Sequence, residues 1–130
     1  MGDSVITNFK DLIVYKKAFE QALKIFHITK TFPKDEQYSL TDQIRRSSRS
    51  VCANIGEAWR KRRYPLHFVS KLTDADSETS ETIIWLDFAS ECGYLSSTVY
   101  TELVSEYEQI GKILGAMILT PEKFCYNDRK

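Results

Sequence analysis

Little in this chain would tie it to a membrane, a disulfide framework or a β-sheet. No apolar run approaches the roughly 18 to 20 residues that a membrane span requires. The first residues, Met1-Gly2-Asp3-Ser4, lack the basic and apolar regions of a secretory leader, so a cytoplasmic protein is expected. Cys52, Cys92 and Cys125 are odd in number and too far apart for a C-x-x-C pair, which points to three reduced thiols, with a disulfide or a reactive thiol as the alternative. Only two histidines occur, and neither follows a glutamate by three residues: Lys24 precedes His27 and Tyr64 precedes His67. The Glu-x-x-His pattern that holds metal ions in bundle cores is therefore missing, and no metal is expected. There is no phosphate-cradling glycine loop and no Ser, His and Asp arrangement at an informative spacing, so neither a cofactor nor catalysis is expected.

Turn residues are also scarce, at three prolines and five glycines in 130 residues. Pro33, Pro65, Gly93 and Pro121 divide the chain into four segments, each with helical and none with two-residue periodicity. In the first, about 11–31, the expected inner stripe is Leu12, Tyr15, Phe19, Ala22 and Phe26. The second, about 39–63, begins at Ser39, an N-cap candidate with Asp42 three residues on, and turns Leu40, Ile44, Ser47, Val51, Ile55 and Ala58 inward. The third starts near Pro65, which suits a first helical turn. Its stripe, Phe68, Leu72, Ala75, Thr79, Thr82, Leu86, Ala89 and Gly93, steps by four and three, the pattern of near-parallel or antiparallel packed helices, and Gly93 also suits its left-handed cap. The fourth, about 97–119, turns in Val99, Leu103, Tyr107, Ile110, Leu114 and Met117. With short connections, sequential helices become antiparallel neighbours, which predicts an all-α, up-down-up-down antiparallel four-helix bundle over 9–120, with 1–8 and 121–130 flexible or loosely packed.

Lys and Arg number 18, as do Asp and Glu, so the net charge is zero. The balance conceals a strong segregation. Between Gln43 and Arg63 lie seven cations, Arg45, Arg46, Arg49, Arg60, Lys61, Arg62 and Arg63, against the single acid Glu57. From Leu72 to Gly111 there are nine acids and no base. On a helix Arg46 and Arg49 share a face that Arg60 and Arg63 continue, with Ala53 and Gly56 between them. Arginine forms two-point contacts with phosphates, so such a stripe suits a nucleic acid backbone, and Tyr64 beside it suits base stacking. Two other readings stand open. Arg46 and Arg49 can bond Glu78 or Glu81 within a structural network that includes Asn54 and Glu57, or the cations can form a solvated cluster.

The middle of the chain carries a resemblance. Phe32-Pro33-Lys34-Asp35-Glu36, Leu40-Thr41-Asp42-Gln43-Ile44-Arg45-Arg46, Ser50-Val51-Cys52-Ala53-Asn54-Ile55 and Glu57-Ala58-Trp59-Arg60-Lys61-Arg62-Arg63-Tyr64 resemble the four-helix-bundle proteins encoded in intervening sequences of bacterial 23S rRNA genes. Lys71 to Asp76, Glu81-Thr82, Trp85 to Ala89 and Cys92-Gly93-Tyr94 continue the match, which spans about 9–119. Where the family more often has Ala-Glu-Gly after Asn-Ile, this chain has Gly56-Glu57-Ala58. The resemblance implies a homo-oligomer, a ring-like pentamer. It also implies kinship with the accessory proteins of diversity-generating retroelements, which form basic barrels that bind nucleic acid and a reverse transcriptase. The sequence thus predicts a non-catalytic, oligomeric bundle binding RNA or DNA backbone through its second helix. The alternative is an oligomeric protein–protein interaction scaffold whose basic helix 2 pairs with acidic helices 3 and 4, with no nucleic acid ligand.

Overall fold

Four helices form on the four periodic segments: α1, Ile13–Thr29; α2, Leu40–Arg60; α3, Pro65–Glu91; and α4, Ser97–Leu119. They are the substance of a computed structural model that describes residues 6–126. Three-residue 3-10 turns precede α1 at Phe9–Asp11, join α1 to α2 at Lys34–Glu36 and follow α4 at Pro121–Lys123. Each helix packs on its neighbours in sequence, α1 closes against α4, and the backbones of the diagonal pairs stay apart. This is the expected all-α four-helix bundle in up-down-up-down order.

Local chemistry explains the boundaries. Pro65 opens α3, where its missing N–H costs nothing. Gly93 adopts φ +80°, and Tyr94 N–H donates to the Ala89 carbonyl at 2.9 Å while Gly93 N–H donates to Ser90 at 3.0 Å. Those two bonds form a Schellman cap, which needs a left-handed residue. Ser96 Oγ accepts from Val99 N–H at 3.2 Å and caps α4. The expected cap at Ser39 is replaced by a different one. Its hydroxyl donates to Glu36 Oε1 at 2.6 Å, and the same oxygen accepts the Leu40 N–H at 3.3 Å, so a carboxylate four residues upstream satisfies the helix start. The second oxygen of Glu36 accepts from Tyr94 Oη at 2.9 Å, tying the α1–α2 connection to the α3–α4 connection. These bonds hold the Glu36 carboxyl below its ordinary pKa.

The inner stripe expected for α2 is buried in full, that of α3 is buried from Phe68 to Ala89 with Gly93 exposed beyond the helix end, and that of α4 is buried from Leu103 onward, with Val99 half-buried. Phe68, Leu72, Leu86, Tyr107, Ile110 and Leu114 are all but inaccessible. Each such apolar side chain contributes about 1.5–3 kcal/mol from burial. The α2–α3 seam is built from small residues, and across it Thr82 Oγ1 lies 2.8 Å from Ser47 Oγ, both buried. Ala58, near the end of α2, is fully buried.

The expectation for α1 is overturned. Its core face is Val14, Ala18, Gln21, Ile25 and Thr29. The aromatic stripe lies on the flank: Phe19 is 49% exposed, while Tyr15, Ala22 and Phe26 are half-buried. Leu12 alone of the expected five is in the core. α1 carries two apolar stripes, and the narrow space left by the other helices accepts the smaller side chains of the second.

Residues 1–5 and 127–130, part of the expected loose termini, lie outside the described residues. Nearer the bundle the chain is packed. Phe9 meets Tyr15 edge to face at 5.0 Å, and Phe124 stacks on Phe68 at 6.0 Å.

Tyr107 presents a testable cost. Its hydroxyl is buried with no hydrogen-bond partner, and burial drives its pKa far up. A buried unpaired hydroxyl costs about 1–3 kcal/mol. Tyr107→Phe is therefore expected to raise stability by about 1 kcal/mol in urea or thermal unfolding, and a loss of stability would show that the hydroxyl has a partner.

Candidate nucleic-acid interface

α2 presents one solvent-facing strip between two depressions. Arg46, Arg49, Ala53 and Arg60 are exposed along it, and Gly56 is half-buried. On the α3 side a polar cleft of about 470 Å³ is lined by Gln43, Arg46, Ser50, Glu78 and Glu81 among others. On the α1 side lies an apolar groove of about 720 Å³, discussed below. Arg49 and Ala53 form the ridge between the two.

The seven cations of the sequence do not act as a single stripe. Arg45 turns back toward α1: its Nε donates to Thr29 Oγ1 at 2.8 Å and its guanidinium lies 4.9 Å from the Phe26 ring centre. Arg49 and Lys30 flank the same ring at 5.8 and 4.6 Å. Arg62 is fixed more firmly. It stacks 3.6 Å from the Trp59 ring centre and 4.7 Å from that of Tyr126, donates from Nε to the Trp59 carbonyl at 2.8 Å, and reaches Tyr126 Oη at 2.9 Å. The return bond, Tyr126 N–H to the Arg62 carbonyl at 3.2 Å, closes this clamp. Arg60, Lys61 and Arg63 are exposed around the end of α2. Tyr64 is 57% exposed with its ring 5.5 Å from that of His67.

The expected network of Asn54, Glu57, Glu78 and Glu81 with Arg46 does not form among the described residues. Asn54 donates to Ser50 of its own helix, to the carbonyl at 3.0 Å and to the hydroxyl at 3.1 Å. Glu57 pairs with Lys71 at 2.8 Å, which raises the lysine pKa. Glu81 accepts from Trp85 Nε1 at 3.2 Å. Glu78 keeps no ion pair within 4.0 Å among the described residues. Its pKa is raised by desolvation, then by neighbouring Glu81, while Arg46 opposes the shift. Each acid has found a closer partner than the arginine, or lies beyond contact with it.

Sequence reasoning missed the apolar groove because it assigned the aromatic stripe of α1 to the core. The groove is lined by Phe9, Tyr15, Phe19, Leu23 and Phe26 opposite Cys52 and Gly56, with Arg49 and Arg60 at its edge. A Cβ at Gly56 would meet the Phe9 ring at 3.5 Å, so the absence of a side chain there deepens the groove. Burial pushes the Cys52 thiol up to about 11, so it lines the floor as a neutral, apolar group. Among the described residues no three His, Cys, Asp or Glu side chains gather to hold a metal ion, and no helix is long and apolar enough to cross a membrane.

Glu78 gives a pH test. A carboxyl whose folded pKa exceeds its unfolded value opposes folding when ionised, and the penalty fades as pH falls through the folded value. Glu78→Gln is expected to raise the melting temperature at pH 7, with the gain shrinking as pH is lowered through the raised Glu78 pKa. An equal gain at every pH would assign the effect to packing.

Two comparisons place this architecture. Residues 10–116 match the family model described as 23S rRNA-intervening sequence protein. A solved structure from Bacteroides thetaiotaomicron, described as a protein with unknown function from the S23 ribosomal protein family, is 30% identical. It superposes with a TM-score of 0.77 over 85% of this chain and 99% of that one. No curated protein matches the chain.

Proposed function

Because the chain belongs to the 23S rRNA-intervening sequence protein family, we propose that it is a non-catalytic, self-assembling bundle protein of the bacterial cytoplasm that engages the phosphate backbone of RNA or DNA through α2 and the turn after it. One observation carries the reading. Among the described residues, no carboxylate lies within 4.0 Å of Arg45, Arg46, Arg49, Arg60, Lys61 or Arg62. The one acid inside this basic segment, Glu57, is engaged by Lys71 of α3. These six of the segment's seven cations therefore keep most of their field for an outside partner, and arginine-rich strips suit phosphates.

The side chains divide the work. Arg46, Arg49, Arg60 and Lys61 are exposed and supply the direct phosphate contacts, joined by Arg63 at the turn. Arg45 and Arg62, held against Phe26 and between Trp59 and Tyr126, add fixed positive charge at low entropic cost. Tyr64, exposed beside this end, offers a ring to an unpaired base. A protein-only scaffold is the competing reading, favoured by the exposed aromatic groove, which asks for a protein partner whatever the arginines do.

Fluorescence polarisation with a structured RNA and a DNA duplex separates the two. About four or five phosphate contacts give a log–log salt slope of roughly −3 to −5. Arg46→Glu combined with Lys61→Glu is expected to weaken binding of all sequences alike and to flatten the slope by about 2. Absence of binding at low salt would remove the nucleic acid reading and leave the scaffold.

A further inference from the structure

We propose that Tyr126 sits on Arg62 in the seat that an unpaired base of single-stranded RNA or DNA takes in its place, so that the chain's own tail competes with the nucleic acid. The proposal rests on the nucleic acid reading above and adds to it a base contact and the device that regulates it.

Arg62 forms a platform that does not depend on the tail. Its guanidinium lies 3.6 Å from the Trp59 ring centre and its Nε donates to the Trp59 carbonyl at 2.8 Å, both within the end of α2 and the turn after it. Trp59 is 6% exposed and anchored in the core. Neither contact involves residues 121–126, so the guanidinium keeps its place when that segment leaves. A planar guanidinium held on an indole is a rigid surface on which a second flat ring stacks. Exposed Arg60 and Lys61, its neighbours in sequence, are placed to take the flanking phosphates of a stacked base.

Tyr126 imitates a base there. Its ring centre is 4.7 Å from the guanidinium, and its Oη accepts from Arg62 Nη2 at 2.9 Å. A nucleobase brings the same two features, a π face and a carbonyl or ring-nitrogen acceptor at its rim. The hold on Tyr126 is light. Its hydrogen bonds among the described residues, through Oη and through its N–H to the Arg62 carbonyl at 3.2 Å, both go to Arg62, and the residue is 53% exposed. The firmer anchor lies two residues earlier, where Phe124 stacks on the buried Phe68 at 6.0 Å. Tyr126 can therefore swing out while the rest of the segment stays docked. The apparent affinity for a base falls with the fraction of molecules in which the seat is open, and removing the ring restores it.

Fluorescence polarisation with a short oligouridylate and an abasic strand of equal length and charge tests this, with far-UV circular dichroism checking each fold. Tyr126→Ala is expected to raise oligouridylate affinity about tenfold and to leave the abasic strand unchanged. Tyr126→Phe, which keeps the ring and loses the acceptor, should give a smaller rise, and it replaces the alanine variant should that one lose helix. In an Arg62→Lys background, which keeps the charge and removes the planar platform, Tyr126→Ala should change nothing. Failure of the wild type and Tyr126→Ala alike to bind either strand at low salt would overturn the nucleic acid reading and this proposal with it. Binding that Tyr126→Ala leaves unchanged or weakens, raises equally for both strands, or still raises in the Arg62→Lys background would overturn the role of the tail alone.

Discussion

The close approach of α2 and α3 governs most of what the surface can do. It depends on side chains small enough to let two backbones meet, with the Thr82 and Ser47 hydroxyls 2.8 Å apart in the buried seam. With Ile44, Val51 and Ile55 committed inward, the helical period leaves Arg46, Arg49 and Arg60 no direction but outward. The same geometry sets Glu78 and Glu81 beside a polar cleft, with Glu78 within the field of Arg46 yet without an ion pair to it. A bulkier seam would have splayed the helices and let the long arginine side chains fold down onto those acids. Small residues inside the bundle thus keep cations available outside it.

The surface that results is segregated by sign and by polarity together. The basic strip on α2 borders an aromatic furrow, and the acids of α3 border an aliphatic and aromatic ridge on the opposite side. A zero net charge made in this way has a different consequence from one made of interspersed pairs. Interspersed charges cancel at short range and leave little field, whereas segregated ones produce two faces, each with its own class of partner. On the proposed reading, a polyanion would meet the basic face and leave the other face to a protein.

What the sequence made legible follows from how many apolar stripes each helix carries. α2, α3 and α4 each have one, and their cores were readable residue by residue, from Leu40 to Ala58, Phe68 to Ala89 and Leu103 to Met117. α1 has two, and hydropathy favours the aromatic one, while the interior takes the non-aromatic one, Val14, Ala18, Gln21, Ile25 and Thr29. The cations were readable as a set but not as directions. Arg62 is aimed by Tyr126, sixty-four residues away, and Arg45 by Phe26 and Thr29 on the preceding helix. No local pattern reports such contacts. The cap of α2 was misplaced for a similar reason, because Ser39 has the right chemistry but Glu36 has the longer reach.

The two ends of the bundle are fastened by chemically different locks. At one, Glu36 gathers Ser39, Leu40 and Tyr94 on a single carboxylate whose pKa is depressed. Its contribution is complete above the unfolded pKa and is lost as pH falls through the lower, folded value. At the other, Arg62 is held between two rings, a clamp that contains no carboxylate. Acid therefore weakens the tie between the α1–α2 and α3–α4 corners, while the Arg62 clamp has no protonatable carboxylate to lose. Amide hydrogens near Leu40 and Tyr94 would then trade with solvent more readily in acid, while those near Trp59 keep their protection.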